Sequence, residues 1–189
     1  MQIAKKSTTE KIILGVDPGT SVMGYGLILV KNKQLKLIQY GVIHLSKYEN
    51  HGIKLSKIFE RMVQLIDEYH PDEMAIEAPF FGKNIQSMLK LGRAQGVAIA
   101  AAISREVPIV EYAPKKIKQS VTGNGNASKE QVAAMLERLL GFKDENASKL
   151  LDATDALGVA VCHYFSNGEN KTKSKGWDTF LKDNPDRVK

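Results

Sequence analysis

Short apolar runs separated by turn residues open the chain and predict β-strands. Residues 11–17 and 25–30 are rich in aliphatic side chains, and a glycine-containing segment lies between them. A polar turn then leads into residues 34–45, where apolar and polar positions alternate, as in a strand with one buried face. The pattern predicts three antiparallel strands at the start of the domain.

Helical spacing then alternates with further strands. Apolar residues recur at helical spacing from Ile53 to Ile66, and Pro71 ends that helix. We predict strands over residues 73–78 and 107–112, and helices over residues 84–106, 114–121, 128–140 and 147–165. This order of elements predicts an α/β fold, in which a mixed five-stranded sheet carries helices on both faces.

The composition fits one globular domain followed by a polar tail. The chain has 189 residues, of which 43% are hydrophobic and 25% charged, enough for a core without disulfides or a structural metal. We assign the domain to residues 11–166 and a basic, flexible tail to residues 167–189, where the apolar periodicity stops. Within the tail, Trp177, Phe180 and Leu181 form either a docking motif or a patch that packs back on the domain.

The charge balance predicts a polyanionic partner. Lysine and arginine number 27 against 21 acidic residues, which gives a net charge of +6. Nucleic acid fits this charge best, and an acidic membrane surface fits it less well. The single cysteine, Cys162, lies in an apolar run, so neither a disulfide framework nor a cysteine metal site is expected. With no signal sequence and no membrane-spanning stretch, we expect a cytoplasmic protein.

Four acidic residues stand at positions that a fold can bring together. Asp17 ends the first predicted strand and Glu77 lies near the end of the fourth. Asp152 and Asp155 are three residues apart in the last helix, so they share a face, and small apolar residues surround them. We expect that face to pack against the sheet, with neither aspartate in the first turn of the helix.

Each of these acids also has an ordinary structural explanation. Asp17 suits a turn before Pro-Gly, and Glu77 suits an ion pair with a buried lysine or arginine. Asp152 and Asp155 suit a helix face that is turned to solvent. The apolar surroundings of Glu77 and of the aspartate pair favour a shared site, because an isolated buried carboxylate is costly.

Converging carboxylates predict a divalent metal centre. Their mutual repulsion requires neutralisation, and an all-oxygen ligand set selects Mg²⁺ or Mn²⁺. The four histidines are scattered without metal-ligand spacing, so zinc is disfavoured. Two such ions about 3.5 to 4 Å apart hydrolyse phosphodiesters by activating water and stabilising the leaving oxygen.

Five segments carry a specific resemblance to a known family. They are GVDPGTSVMGYG, AIEAPFFGKN, LKLGRAQGVAIAA, EYAPKKIKQSVTGNGNASKEQV and LLDATDALGVAVCH. In this order they resemble the motifs of the RuvC family of Holliday junction resolvases. The resemblance implies a ribonuclease H-like fold, and it implies Mg²⁺-dependent cleavage of four-way DNA junctions that leaves 5′-phosphate and 3′-hydroxyl ends.

The same resemblance assigns roles to residues and partners. It makes Asp17, Glu77, Asp152 and Asp155 the catalytic set that binds two metal ions per subunit. Phe80, in preference to Phe81, is the aromatic residue that stacks on DNA, and Lys118 and Lys129 contact the DNA backbone. It also implies a homodimer and a branch-migration helicase complex as partner.

Alternatives stay open at this point. The segment from Asp17 to Thr20 also resembles a phosphate loop of actin-like ATPases, but 189 residues are too few for their two large lobes. Two further alternatives remain: a ribonuclease H-like nuclease that acts on another substrate, and a junction-binding module that has lost catalysis. The smooth stripe of Gly92, Gly96 and Ala100 fits either a dimer contact or packing on the protein's own sheet.

Overall fold

The elements of the fold follow the alternation of strands and helices that the sequence predicts. The computed structural model describes residues 10–79, 84–143 and 151–170. Its strands are β1 (Lys11–Asp17), β2 (Val22–Lys31), β3 (Gln34–His44), β4 (Glu73–Glu77) and β5 (Ile109–Tyr112). Its helices are α1 (His51–Tyr69), α2 (Ile85–Ile103), α3 (Pro114–Thr122), α4 (Lys129–Leu140) and α5 (Leu151–Asn170). None of these described helices combines the length and the apolar character that crossing a membrane requires.

The five strands form one mixed sheet in the order β3-β2-β1-β4-β5. β2 is antiparallel to both β1 and β3, whereas β4 is parallel to both β1 and β5. The predicted mixed five-stranded sheet is thereby confirmed. Since β1 and β4 are parallel neighbours and Val16 is in register with Ile76, the strand ends at Asp17 and Glu77 lie side by side.

Helices cover both faces of this sheet, and the alternation of side chains along β1 shows how. Leu14 and Val16 belong to the core on the face that α1 and α2 cover. Ile13 belongs to the core on the opposite face, with residues of α4 and α5. This period of two is the consequence of strand geometry, and it gives the domain a three-layer arrangement of helix, sheet and helix.

Helix α5 lies directly on the backbones of β1 and β2. A Cβ atom on Gly15 would lie 2.1 Å from the carbonyl oxygen of Ala156, and one on Gly24 would lie 1.9 Å from that of Asp152. Any side chain at these two positions therefore pushes the helix off the sheet. Glycine inside a strand commonly marks such a close backbone approach.

The two ends of α5 differ from the sequence prediction. The described helix begins at Leu151, so Asp152 falls in its first turn, and the prediction that neither aspartate lies there is wrong. At the other end the helix continues past the predicted end at residue 165 to Asn170. The Asn167 side chain donates a hydrogen bond of 3.1 Å to Glu73, which secures the additional turn to β4. Residues 171–189, including Trp177, lie outside the described residues.

The close approach of α5 yields a stability prediction. We expect Gly24→Ala to lower the free energy of unfolding by about 1 to 3 kcal/mol, because the added methyl group forces α5 away from β2. Urea denaturation of the metal-free protein measures this difference.

Gly158→Ala supplies the matched control within α5, since a Cβ at Gly158 meets its nearest neighbour, Ile117 Cγ2, at 3.4 Å, an ordinary van der Waals contact. That change should be neutral or stabilising by up to about 1 kcal/mol, because alanine favours a helix interior over glycine. Equal losses of stability in the two variants would contradict the account of α5 packing.

Candidate active site

Neighbouring strand ends and one helix bring the predicted acidic residues to the same end of the sheet. Asp17 is the last residue of β1 and Glu77 is the last residue of β4. Adjacent strands lie about 4.8 Å apart, so the two carboxylates start from neighbouring backbones. Asp152 and Asp155 reach the same place from the first turns of α5, whose carbonyl groups rest on the glycines below.

Three of the four acids form a tight group. One carboxylate oxygen from each of Asp17, Asp152 and Asp155 lies within 4.8 Å of the others. Glu77 is not a member of this group, but it lines the same cavity as Asp17 and Asp155. The structure therefore places three acids at one point and the fourth beside them.

The cavity has a volume of about 310 Å³ and walls of mixed chemistry. Its charged lining residues are Asp17, Glu77, Asp155, Lys118 and Lys129. Pro114, Ile117 and Val132, from α3 and α4, complete the lining. This apolar wall was not predicted from the sequence, although the apolar periodicity of the two short helices is a signal for it.

Partial burial and crowding favour the protonated forms of two carboxyl groups. Burial, followed by the negative charges of Glu77 and Asp155, raises the pKa of Asp17 to about 8. Burial and the charge of Asp155 raise the pKa of Glu77 to about 7. Without a further cation, these groups hold protons near neutral pH.

Lys129 supplies a positive charge from within the protein. Its Nζ atom forms an ion pair with Asp155 and lies 3.8 Å from Asp152 Oδ1. Partial burial acts to lower the pKa of Lys129, but the hydrogen bond and charge of Asp155, with the charges of Asp152 and Asp17, raise it overall.

A capping box fixes the position of Lys129 as the first residue of α4. The backbone N–H of Gln131 donates to Ser128 Oγ at 3.3 Å, and the N–H of Ser128 donates to Gln131 Oε1 at 2.9 Å. Lys118 reaches the same cavity from α3, and its charge lowers the pKa of Glu77 against the effect of burial. The structure thus brings together six of the seven site residues predicted from sequence.

Phe80, the seventh, lies outside the described residues, as does Phe81. The stripe on α2 faces outward, because a Cβ at Gly92 or at Gly96 meets nothing within 4 Å. Packing on the protein's own sheet, one of the two explanations considered for this stripe, is therefore wrong.

The chemistry of the donor set fits a hard divalent cation. All candidate ligands in the group are carboxylate oxygens, which Mg²⁺ and Mn²⁺ prefer. His163 on α5 is engaged elsewhere: it pairs with Glu73, and its Nδ1 atom lies 2.9 Å from Tyr112 Oη. Crowded carboxylates with raised pKa values are a common arrangement at catalytic centres.

Similar proteins cover nearly the whole chain. A relative from Cytophaga hutchinsonii, a crossover junction endodeoxyribonuclease RuvC, is 75% identical over 182 residues, which are 96% of this chain and 90% of the relative. The protein of the same description from Porphyromonas gingivalis is 57% identical over 97% of this chain and 100% of its own length.

Solved structures show the same architecture. Thermus thermophilus RuvC in complex with a Holliday junction substrate matches with a TM-score of 0.78 and 30% identity, over 85% of this chain and 96% of that one. The yeast mitochondrial Holliday junction resolvase Ydc2 matches with a TM-score of 0.62 at 16% identity, over 90% and 83% of the two chains. These matches confirm the predicted ribonuclease H-like fold.

The family model described as crossover junction endodeoxyribonuclease RuvC matches residues 13–163. That range contains the three clustered aspartates, Glu77 and both lysines of the cavity. On the family model and the close relatives together, the chain belongs to the RuvC family of crossover junction endodeoxyribonucleases.

Proposed function

We propose that this protein is a metal-dependent endodeoxyribonuclease that resolves four-way (Holliday) junctions during DNA recombination and repair. The observation that carries this proposal is the group of three carboxylate oxygens within 4.8 Å of one another, in a cavity that also holds two lysines. Membership of the RuvC family supplies the substrate. The protein's net charge of +6 is in keeping with a DNA partner.

Asp17, Asp152 and Asp155, with Glu77 beside them, would hold Mg²⁺, two ions per subunit, and Mn²⁺ would substitute. When bound, such ions lower the pKa of an attacking water and stabilise the departing oxygen in an in-line displacement. By holding these cations, the carboxylates would orient the scissile phosphate. Departure of the 3′ oxygen leaves a 5′-phosphate and a 3′-hydroxyl, which a ligase can join.

The lysines of the cavity would position the DNA backbone. Lys118 and Lys129 reach the cavity from α3 and α4, so a phosphate held there contacts two different helices. Phe80 follows shortly after Glu77 in the chain, and we assign it base stacking at the cut, which contributes about 1 to 3 kcal/mol in comparable sites.

A homodimer would supply the second active site that two symmetric cuts need. The outer face of α2 supports this assembly, because Ile85 is 70% exposed, Leu89 51% and Ile103 63%. Gly92 and Gly96 lie on the same face and leave room for a close partner helix. Exposed apolar surface of this extent usually marks a contact.

We also assign the protein to the cytoplasm, where its DNA substrate is found, and a branch-migration helicase complex as its partner, both from the family. A related nuclease that acts on another nucleic acid is the alternative activity. An inactive junction-binding module is the weaker alternative, because crowded carboxylates repel phosphates and serve a pure binder badly.

Cleavage of a synthetic four-way junction tests the proposal. We expect cutting of the junction and not of linear duplex, and only with Mg²⁺ or Mn²⁺. Asp155→Asn should lower the cleavage rate at least about 100-fold, since losing one metal ligand costs several kcal/mol in the transition state. Junction affinity should stay equal or become tighter, because the variant removes a negative charge.

Asp67→Asn is the matched control, because Asp67 is an exposed aspartate of α1 that pairs with Arg105. It should cleave at the wild-type rate. Near-normal cleavage by Asp155→Asn would remove α5 from the active site, and equal cutting of linear duplex would favour the alternative activity.

The crowded carboxylates predict a dependence of stability on pH in the metal-free protein. The pKa of Asp17 rises on folding from 3.8 to about 8, so the folded state binds the extra proton and stability falls as the pH rises through this window. Asp17→Asn removes that loss. We expect the variant to be more stable than wild type at pH 8.5, by at least about 1.4 kcal/mol, the equivalent of one pKa unit.

Urea unfolding in the presence of EDTA at pH 5 and pH 8.5 measures this difference, which should shrink at the lower pH. Asp67→Asn is the control here too. Arg105 lowers the pKa of Asp67, so the ionised form of Asp67 stabilises the folded state, and its removal has the opposite effect on stability to Asp17→Asn. That variant should be less stable than wild type at both pH values, because Asp67 is ionised at both. A pH-independent difference for Asp17→Asn would contradict the electrostatic account.

The dimer makes its own prediction. Leu89→Asp places a charge on the outer face of α2 and should shift the protein to a monomer in analytical ultracentrifugation. Val110 of β5 is also an exposed apolar residue. Val110→Asp therefore introduces the same charge away from α2 and should leave the dimer intact. If the Leu89→Asp protein sediments as wild type does, α2 is not the interface.

A further inference from the structure

A second cavity, of about 290 Å³, lies where the end of β3 meets α1. Three cationic side chains line it: Lys47 from the segment after β3, and Lys57 and Arg61 from α1. Glu60 is the one carboxylate among its described lining residues. None of these residues belongs to the active site described above.

The carboxylate is already occupied, so the cavity keeps a net positive charge. Lys57 Nζ lies 2.6 Å from one oxygen of Glu60, and Ser56 Oγ donates to the other at 2.9 Å. This pairing neutralises Lys57 and leaves Lys47 and Arg61. Among the described residues, neither Lys47 nor Arg61 forms an ion pair. Two such cations at one cavity attract an anion, and the attraction weakens as salt rises.

Aromatic rings hold these two cations in place without cancelling their charge. The Arg61 guanidinium lies 5.4 Å from the centroid of the Tyr25 ring, and it donates a hydrogen bond of 3.2 Å to Tyr25 Oη. Lys47 Nζ lies 5.2 Å from the centroid of the Tyr48 ring. Cation–π contacts of this kind orient a cation and leave most of its N–H donors available.

The cavity is rigidly connected to the active site. Asp17 is in register with Gly24, and Gly24 with Val42 at the cavity, so two strand spacings, about 10 Å, separate Asp17 from Val42. The carbonyl oxygen of Ser21, in the loop after β1, accepts hydrogen bonds from Leu45 and Ser46, just before Lys47. The two cationic regions therefore keep a fixed separation on the same end of the sheet.

We propose that Lys47 and Arg61 form a second phosphate-binding site, which holds the backbone of the DNA arm that leaves the cleavage site. This inference rests on the proposed function. A DNA strand carries one phosphate per 3.4 Å of helix rise, so the separation of about 10 Å between Asp17 and Val42 corresponds to a phosphate roughly three or more nucleotides from the cut. A backbone fits better than a free nucleotide, because Tyr48, the one tyrosine among the cavity's described lining residues, already carries Lys47, and Tyr25 beneath Arg61 is buried.

Binding of a fluorescent four-way junction without divalent metal tests the proposal. Lys47→Gln should weaken binding about 3- to 10-fold at low salt and make the slope of log K against log[salt] less negative by about 0.9, the loss of one phosphate contact. Arg61→Gln should behave alike, and thermal unfolding of both variants establishes that they fold.

Lys36→Gln is the matched control, because Lys36 is an exposed lysine near the opposite end of β3. Its slope and affinity should stay close to those of wild type. Junctions with one neutral methylphosphonate linkage, placed in turn at each of the first six positions from the cut, locate the contact. At one or two positions the neutral linkage should weaken binding by the wild type and cause no further loss of affinity in Lys47→Gln.

Affinity and slope of Lys47→Gln equal to those of Lys36→Gln would overturn the proposal. A second outcome would also overturn the proposal: inorganic phosphate binds at the cavity, but Lys47→Gln leaves the affinity for the junction unchanged. The cavity would then be a site for a free anion. If wild type cleaves junctions normally in either case, the proposed function stands. If wild type neither binds nor cuts a junction, both proposals fail.

Discussion

The close contact between α5 and the backbones of β1 and β2 is the constraint on which the site depends. Glycine at positions 15 and 24 removes the side chains that would otherwise separate helix from sheet. The contact sets the height of Asp152 and Asp155 above the end of β1, and it withdraws Asp17 from solvent. Since α5 also packs against α3 and α4, the lysines of those helices are placed by the same contact.

This geometry has an electrostatic cost that the protein does not remove. The raised pKa values of Asp17 and Glu77 show that the folded chain holds their charged forms at a disadvantage. Lys129 and Lys118 offset part of the repulsion, but two lysines cannot neutralise four carboxylates. Conflict of this kind between local stability and arrangement is expected where a site must bind a cation.

The sequence predicted the elements well, because strand and helix periods are visible in the order of apolar residues. It also located Asp17 and Glu77 at strand ends, since Pro18 and Pro79 follow closely after them. It could not reveal that Glu77 stands outside the group of three aspartates, which depends on distances between elements. The end of α5 was missed because a contact between Asn167 and Glu73, residues far apart in the chain, stabilises polar residues that resemble a tail.

The outward direction of the small-residue stripe on α2 could not be predicted for a different reason. Small residues permit close packing both on the protein's own sheet and on a partner, and the pattern does not show which of the two occurs. The two cationic regions could not be distinguished from the sequence either, because a count of basic residues does not show which group each of them contacts. Lys129 is paired with Asp155, which would also be a ligand of the metal, so on the proposed function the lysine and the cation would share one carboxylate. Arg61 and Lys47 lie over tyrosine rings instead of pairing with carboxylates, so on the proposal above their contact with DNA would not depend on the metal. On the proposed function, the arm would therefore be held whether or not a cation is bound, whereas cleavage would require one.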